Sequence, residues 1–259
     1  MVTFDVGDNT LLYGSIAKGF RGGSVDNRPG LPPEFRETDP DTNYAYELGI
    51  RGNWFDGVLS GSAVIFYNDW KDIPVGVLRD IDGTEVQVRL NSDSATTSGL
   101  ELDLTWLVSD AFWLTLWAHY LDTEINETIR SGAVDASGLP VLKGNELPES
   151  PKYSVAITAN LYLPLTSEWD GYLRADVLAR DGSFSSLSNA PVTESESYEL
   201  GNLRIGVQSD NWDVSLFAHN IWNERAHHGQ RGNFVSPDVG FASVTEGPRR
   251  IGLTVAYRY

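Results

Sequence analysis

Arg250-Ile251-Gly252-Leu253-Thr254-Val255-Ala256-Tyr257-Arg258-Tyr259 closes the sequence in strict alternation. Ile, Leu, Val, Tyr and Tyr hold the odd positions, and Arg, Gly, Thr, Ala and Arg the even ones. Successive side chains of a strand point to opposite faces, so this stretch reads as a strand with one apolar face and one small or polar face. A soluble sheet tolerates such a strand. A strand with lipid on one side, water on the other and an aromatic at the membrane boundary requires it.

The pattern recurs about ten times. Strands are expected over residues 10–20, 43–54, 58–70, 98–108, 112–123, 152–163, 169–180, 198–208, 212–221 and 250–259. In the second, Tyr44, Tyr46, Leu48, Ile50 and Trp54 alternate with Glu47, Arg51 and Asn53. In the sixth, Tyr153, Val155, Ile157, Ala159, Leu161 and Leu163 share one face. Short turns such as Phe55-Asp56-Gly57 and Ser209-Asp210-Asn211 follow strands two, four, six and eight; Asp-Gly supplies the positive φ a tight turn needs. Long polar loops follow strands one, three, five, seven and nine. The loop over 71–93 carries its own hairpin around Asp82-Gly83, expected to stand beyond the membrane. Loops sorted by end mark an outer-membrane barrel, with short periplasmic turns and long extracellular loops.

Aromatic residues sort the same way. Trp54, Trp106, Phe112, Tyr162, Trp169, Trp212, Tyr257 and Tyr259 lie near the short-turn end. Tyr44, Phe66, Tyr67, Trp70, Tyr120, Tyr153, Tyr198 and Trp222 lie near the long-loop end. Two belts with an aliphatic middle match two membrane interfaces. A simple preference of aromatics for strands predicts no such sorting.

Composition agrees. The 259 residues suffice for one large β domain over 1–259. With no cysteine, a disulfide framework and a thiolate metal site are excluded. No apolar run is long enough for a membrane helix, and the first eight residues lack the basic region and apolar core of a signal peptide. A net charge of -17 argues against nucleic acid as a partner. Hydrophobic residues are 41%, which suits a barrel because only every second residue must be apolar.

Glu47, Arg51, Glu101, Asp103, Arg174, Asp176 and Arg204 fall on the polar faces. They either face a wet lumen or neutralise one another. Arg51, Arg174 and Arg204 are the candidate cations for an anionic ligand. His227 and His228, in the last long loop, are candidates for contact with a metal complex, although a solvated loop pair is the simpler reading. His119 and His219 lie on polar faces without catalytic or metal-ligand spacing. No oxygen-ligand motif is present, so neither a metal site nor a cofactor is expected.

Several segments resemble the C-terminal barrel of TonB-dependent outer-membrane receptors. They are Leu12-Tyr13-Gly14-Ser15-Ile16-Ala17-Lys18-Gly19-Phe20-Arg21, Tyr46-Glu47-Leu48-Gly49, Ser98-Gly99-Leu100-Glu101-Leu102, Leu147-Pro148-Glu149-Ser150-Pro151-Lys152-Tyr153, Asn220-Ile221-Trp222-Asn223-Glu224-Arg225 and the terminal strand. Their order and spacing cover nearly the whole chain. The resemblance implies an all-β antiparallel transmembrane barrel of 22 strands with an N-terminal plug, energised through TonB. It implies uptake of a scarce nutrient, most often a ferric siderophore or other iron complex. About ten strands are expected here, as the C-terminal portion of that barrel, without plug or TonB box. The partners so implied are outer-membrane lipid, the plug and N-terminal strands, the TonB complex and the iron complex. The rival readings are a self-contained ten-stranded outer-membrane barrel enzyme, such as an omptin-like protease, and a soluble acidic sandwich that binds carbohydrate.

Overall fold

The computed structural model describes residues 1–128, 134–135, 138–232 and 241–259, without the side chains of 92–93, 227–232 and 241–245. Eleven antiparallel strands form one sheet in sequence order. They are β1 (Val2–Asp5), β2 (Thr10–Arg21), β3 (Asp41–Trp54), β4 (Leu59–Ile81), β5 (Thr84–Ser109), β6 (Phe112–Ile125), β7 (Tyr153–Pro164), β8 (Asp170–Arg180), β9 (Tyr198–Gln208), β10 (Trp212–His219) and β11 (Arg250–Tyr257). Among the described strands, β1 and β11 each have a single neighbour, so the sheet has two edges. Ten of the eleven are the expected strands. The addition is β1, four residues long, with Val2 opposite Gly14 and Phe4 opposite Leu12. A stretch that short carries no period that can be read by itself.

The ladders assign the faces. Leu48, Ile65, Leu100, Tyr120 and Tyr153 form one row across β3 to β7. Leu48 is 57% and Ile65 53% exposed, so this row faces outward without protein cover. A row three residues away, on the other face, runs Arg51, Ser62, Asp103, Trp117 and Ala156. Alternation therefore persists strand after strand, apolar on one face and mainly polar on the other.

Turn chemistry separates the two ends. Phe55 and Asp56 take φ of 56° and 55° and Gly57 takes 87° in the tight β3–β4 connection. Ser109 Oγ accepts from the backbone N–H groups of Ala111 and Phe112 at the next one. The opposite end carries the long connections. Among the described residues, no helix is long and apolar enough to cross a membrane.

The buried apolar core lies outside the lipid-crossing rows. The β4–β5 ladder keeps one register from the pair Leu59–Trp106 to the pair Ile81–Thr84, closed by Asp82 and Gly83 at φ of 53° and 80°. Twenty-three residues of β4 span roughly 75 Å at about 3.4 Å per residue, whereas crossing a membrane takes about ten residues. The expected hairpin is thus a direct extension of two wall strands. Asp72 takes φ of 57° at its foot. Below Asp72, Trp70 packs against the core from an even position; above it, Ile73, Val75 and Val77 are buried at odd ones. These three join Val88, Ala95, Ile125, Leu31 and Val141 in one cluster, with Phe35, Leu147 and Leu187 packed around it. Three loops and a hairpin thereby form a cap over the long-loop end.

Four belt aromatics prove to point the other way. Phe66 pairs with Glu47, Trp70 with Asn43, and Tyr162 with Tyr172 on the polar side. Tyr198 is buried. Each sits at the expected end of its strand, but at an even position of strands whose odd positions face outward, so alternation turns it to the polar side.

Candidate functional site

All seven charges assigned to polar faces do share one face of the sheet. Glu47 lies between Ser15 and Phe66. Arg51 and Asp103 lie in the row of Ser62, and Glu101 lies opposite His119. Arg174 stands directly across from Arg204, and Asp176 from Asn202. Like charges facing each other across a ladder repel. Here Asp176 relieves the repulsion: Arg174 Nη2 donates to it at 2.8 Å and Arg174 Nε at 3.1 Å, while Thr158 donates to it at 2.8 Å. Among the described residues no partner of Arg204 or Arg51 is found. The three candidate cations therefore differ: Arg174 is engaged, and Arg51 and Arg204 are available.

The polar face also carries aromatic rings. Trp113 stacks on Tyr162 with centroids 5.4 Å apart, and Tyr162 on Tyr172 at 5.8 Å. The Tyr172 hydroxyl donates to Asp213 at 2.9 Å. His119 lies against Trp117, and His219 against Phe217. Three buried polar atoms on this face have no partner among the described residues: Asn43 Oδ1, His119 Nδ1 and Ser215 Oγ. Buried polar atoms ordinarily find one, so these three are exceptions within the wall itself.

Where strands β2 to β4 meet the cap, Asp41 accepts from Arg21 Nε at 3.0 Å, Arg21 Nη2 at 2.7 Å and Trp70 Nε1 at 2.6 Å. The Arg21 guanidinium also lies 5.2 Å from the Trp70 ring centre. The bonds from Arg21 hold the Asp41 carboxyl below the usual carboxylate range. Lys152 pairs with Glu146 at 2.8 Å, which raises the lysine. Asparagines lace the loops together. Asn91 donates to the carbonyls of Asp39 and Asp72, and Asn189 bridges to Glu146 through both its amide nitrogen and its oxygen. Periodicity gives no sign of these contacts, because each joins segments distant in the chain.

The remaining candidates are placed as follows. Trp54, Trp106 and Phe112 are on the apolar face near the short turns, in rows with Leu59, Leu114 and Leu161. Trp212 pairs with Tyr257, their rings 4.8 Å apart, and Tyr259 meets Tyr257 edge-on. Trp169 lies on the turn before β8 and lines a turn-side cavity with Trp212. His227 and His228 begin a short strand paired with Phe241–Thr245, and their side chains lie outside the described residues.

A family model described as "TonB dependent receptor-like, beta-barrel" matches residues 1–221. The ferric-pyoverdine M114 receptor PbuA of Pseudomonas sp. is 27% identical over 229 residues, covering 86% of this chain and 25% of the relative. The probable TonB-dependent siderophore receptor PiuA of Acinetobacter baumannii is 26% identical over 190 residues, covering 70% of this chain and 24% of the relative. This chain thus spans about a quarter of the length of these relatives. The crystal structure of the ferric yersiniabactin uptake receptor FyuA from Yersinia pestis superposes with a TM-score of 0.73 at 16% identity, covering 98% of this chain and 36% of that one; that likeness concerns the fold. The protease reading finds no support in these matches. With its sheet of alternating strands, its sorted loops and a family match over most of its length, the chain belongs to the TonB-dependent receptor-like β-barrel family of the bacterial outer membrane.

Proposed function

We propose that this chain is wall and cap of a receptor that imports a ferric siderophore through the outer membrane with energy delivered by TonB. The observation that carries the reading is the match to a ferric-pyoverdine receptor over 86% of the chain, because it runs through wall strands and cap alike. The cap captures the complex from outside, and the polar face lines its path. The plug and the TonB-contacting segment belong to the part of the relatives that this chain does not span. The role is binding and passage rather than catalysis. Trp54, Trp106, Phe112, Trp169, Trp212, Tyr257 and Tyr259 anchor the wall at the periplasmic membrane interface.

Uptake of iron-55 as its siderophore complex by iron-starved cells, with and without the intact gene, tests this. Loss of uptake on deletion and its return on complementation are expected; uptake unchanged for every siderophore the cells use would sink the reading. Within it, Arg204 and Arg51 present positive charge to an anionic complex, and Arg174, engaged by Asp176, contributes less. Arg204→Ala should weaken uptake severalfold and Arg174→Ala less. Equal, unchanged uptake and binding in both variants would remove these residues from the path. His227 and His228 are proposed as outer contacts of the complex, tested by the double alanine variant in the same assay.

A further inference from the structure

We propose that the cleft between the 22–40 loop and the β4–β5 hairpin is a binding site for a ligand bearing clustered phosphate or carboxylate oxygens, held by Arg28, Arg36 and Arg89. The cleft encloses about 480 Å³ and is lined by these three arginines, by Asp26 and by the hydroxyls of Ser24 and Thr38, among others. Three guanidinium groups thus face a single carboxylate, in a chain whose acidic residues outnumber its basic ones 36 to 19. Glu34, Glu37 and Asp39 belong to the same loop but do not line the cleft.

Contacts between loop and hairpin fix the frame. Arg28 binds Asp26 at 2.7 Å and donates to the Gln87 carbonyl at 2.6 Å, tying the loop to the hairpin. Arg36 uses only its Nε, on the Leu31 carbonyl at 2.8 Å, which leaves both terminal nitrogens to face the cleft. Arg89 stands opposite Gly76 on the hairpin; among the described residues it makes no hydrogen bond or ion pair and is attracted only to the Asp26 carboxylate. Asn91, two residues along on the same face of the strand, clamps Asp39 and seats the far end of the loop. Arg28 is thus held by Asp26 and the Gln87 carbonyl, while Arg36 and Arg89 are placed by backbone and asparagine contacts without an ion pair of their own. Guanidinium forks match phosphate and carboxylate oxygens in pairs. Their mutual repulsion in the empty cleft is relieved when an oxyanion enters. The inference rests on these side chains alone and does not depend on the iron-uptake reading.

Titration calorimetry with pyrophosphate and with citrate, on the whole receptor that carries this chain, extracted from outer membranes in detergent, tests the site. Saturable binding of at least one probe is expected. Arg89→Gln should weaken it about tenfold, the loss of one charge-assisted donor, and Arg36→Gln similarly. Neither change touches the bonds of Arg28 that dock the loop, and unchanged heat-modifiable migration checks the fold. Preference for pyrophosphate identifies a phosphate-bearing ligand such as a lipid headgroup, and preference for citrate a soluble carboxylate ligand. No saturable binding of either probe by the unaltered protein, or equal affinity in both glutamine variants, overturns the proposal.

Discussion

Asp41 is nearly buried, accepting from Arg21 and from the Trp70 indole, and it lies beyond the outward Tyr44 at the cap end of β3. Its carboxyl titrates below its ordinary range, so its contribution is present above the unfolded-state value and lost as pH falls through the lower folded value. Asp41→Asn should therefore cost about 1–2 kcal/mol of cap stability at neutral pH, the loss of a charged hydrogen-bond acceptor. It should also flatten the acid side of the pH profile. Denaturant titration followed by tryptophan fluorescence from pH 7 to pH 3 measures both, and parallel curves for variant and parent would rule Asp41 out as the titrating group. At this scale the sequence was partly legible. Parity alone placed Glu47, Arg51, Glu101, Asp103 and Asp176 on one face, because a wall strand keeps its period of two for as long as lipid demands it. Even the engagement of Arg174 by Asp176 follows from a spacing of two. The Asp41–Arg21–Trp70 group does not, since it joins three strands at their cap ends, where lipid no longer imposes alternation.

The β4–β5 hairpin is the element that turns wall into cap. Val77 and Val88 are each 1% exposed and directly opposite each other, so Val77→Ala removes two buried methyl groups' worth of contact in a cluster closed by three loops. A loss of about 1–2 kcal/mol is expected, confined to the cap. Hydrogen exchange should quicken at residues 73–90 and stay slow in β7 to β9; uniform quickening would show that cap and wall unfold together. Register in the wall has its own device, aromatic rings laid over cross-strand glycines. Tyr13 covers Gly49 and Phe66 covers Gly99, which pins each strand against slippage. A Cβ at Gly49 meets only the tip of the Tyr13 ring, which can swing aside. One at Gly99 meets the Tyr120 backbone carbonyl as well as Phe66. Gly99→Ala should cost about 1–3 kcal/mol and Gly49→Ala clearly less, read as midpoints of heat-modifiable migration. Alternation and turn residues disclosed these elements and their order. The change of buried parity at Asp72 stayed hidden, because an Asp in a polar loop gives no notice that its φ will be positive.

The whole sheet is an arc whose first and last strands present unpaired backbone groups along one side each. In water such edges recruit other strands. In lipid each unsatisfied N–H or C=O costs several kcal/mol, far more than the outward rows of Leu48, Ile65 and Leu100 gain by resting against acyl chains. Both β1 and β11 therefore call for strand partners, from further strands or from each other. The apolar face and the two edges make opposite demands, since the first calls for membrane and the second forbids it without partners. That conflict decides the behaviour of residues 1–259 produced by themselves. They should form aggregates rich in β structure, with no heat-modifiable monomer in the outer membrane. Co-production with the part of the receptor that supplies strands for both edges should return a membrane-inserted, heat-modifiable species, detected by electrophoresis with and without boiling and by protease protection of the wall strands. A monomer that inserts and shifts on boiling from residues 1–259 alone would mean that β1 and β11 find each other in the bilayer. The arc would then be a closed small barrel, and the polar face, with Trp113, Tyr162 and Tyr172 stacked across it, would be a filled core instead of the lining of a path.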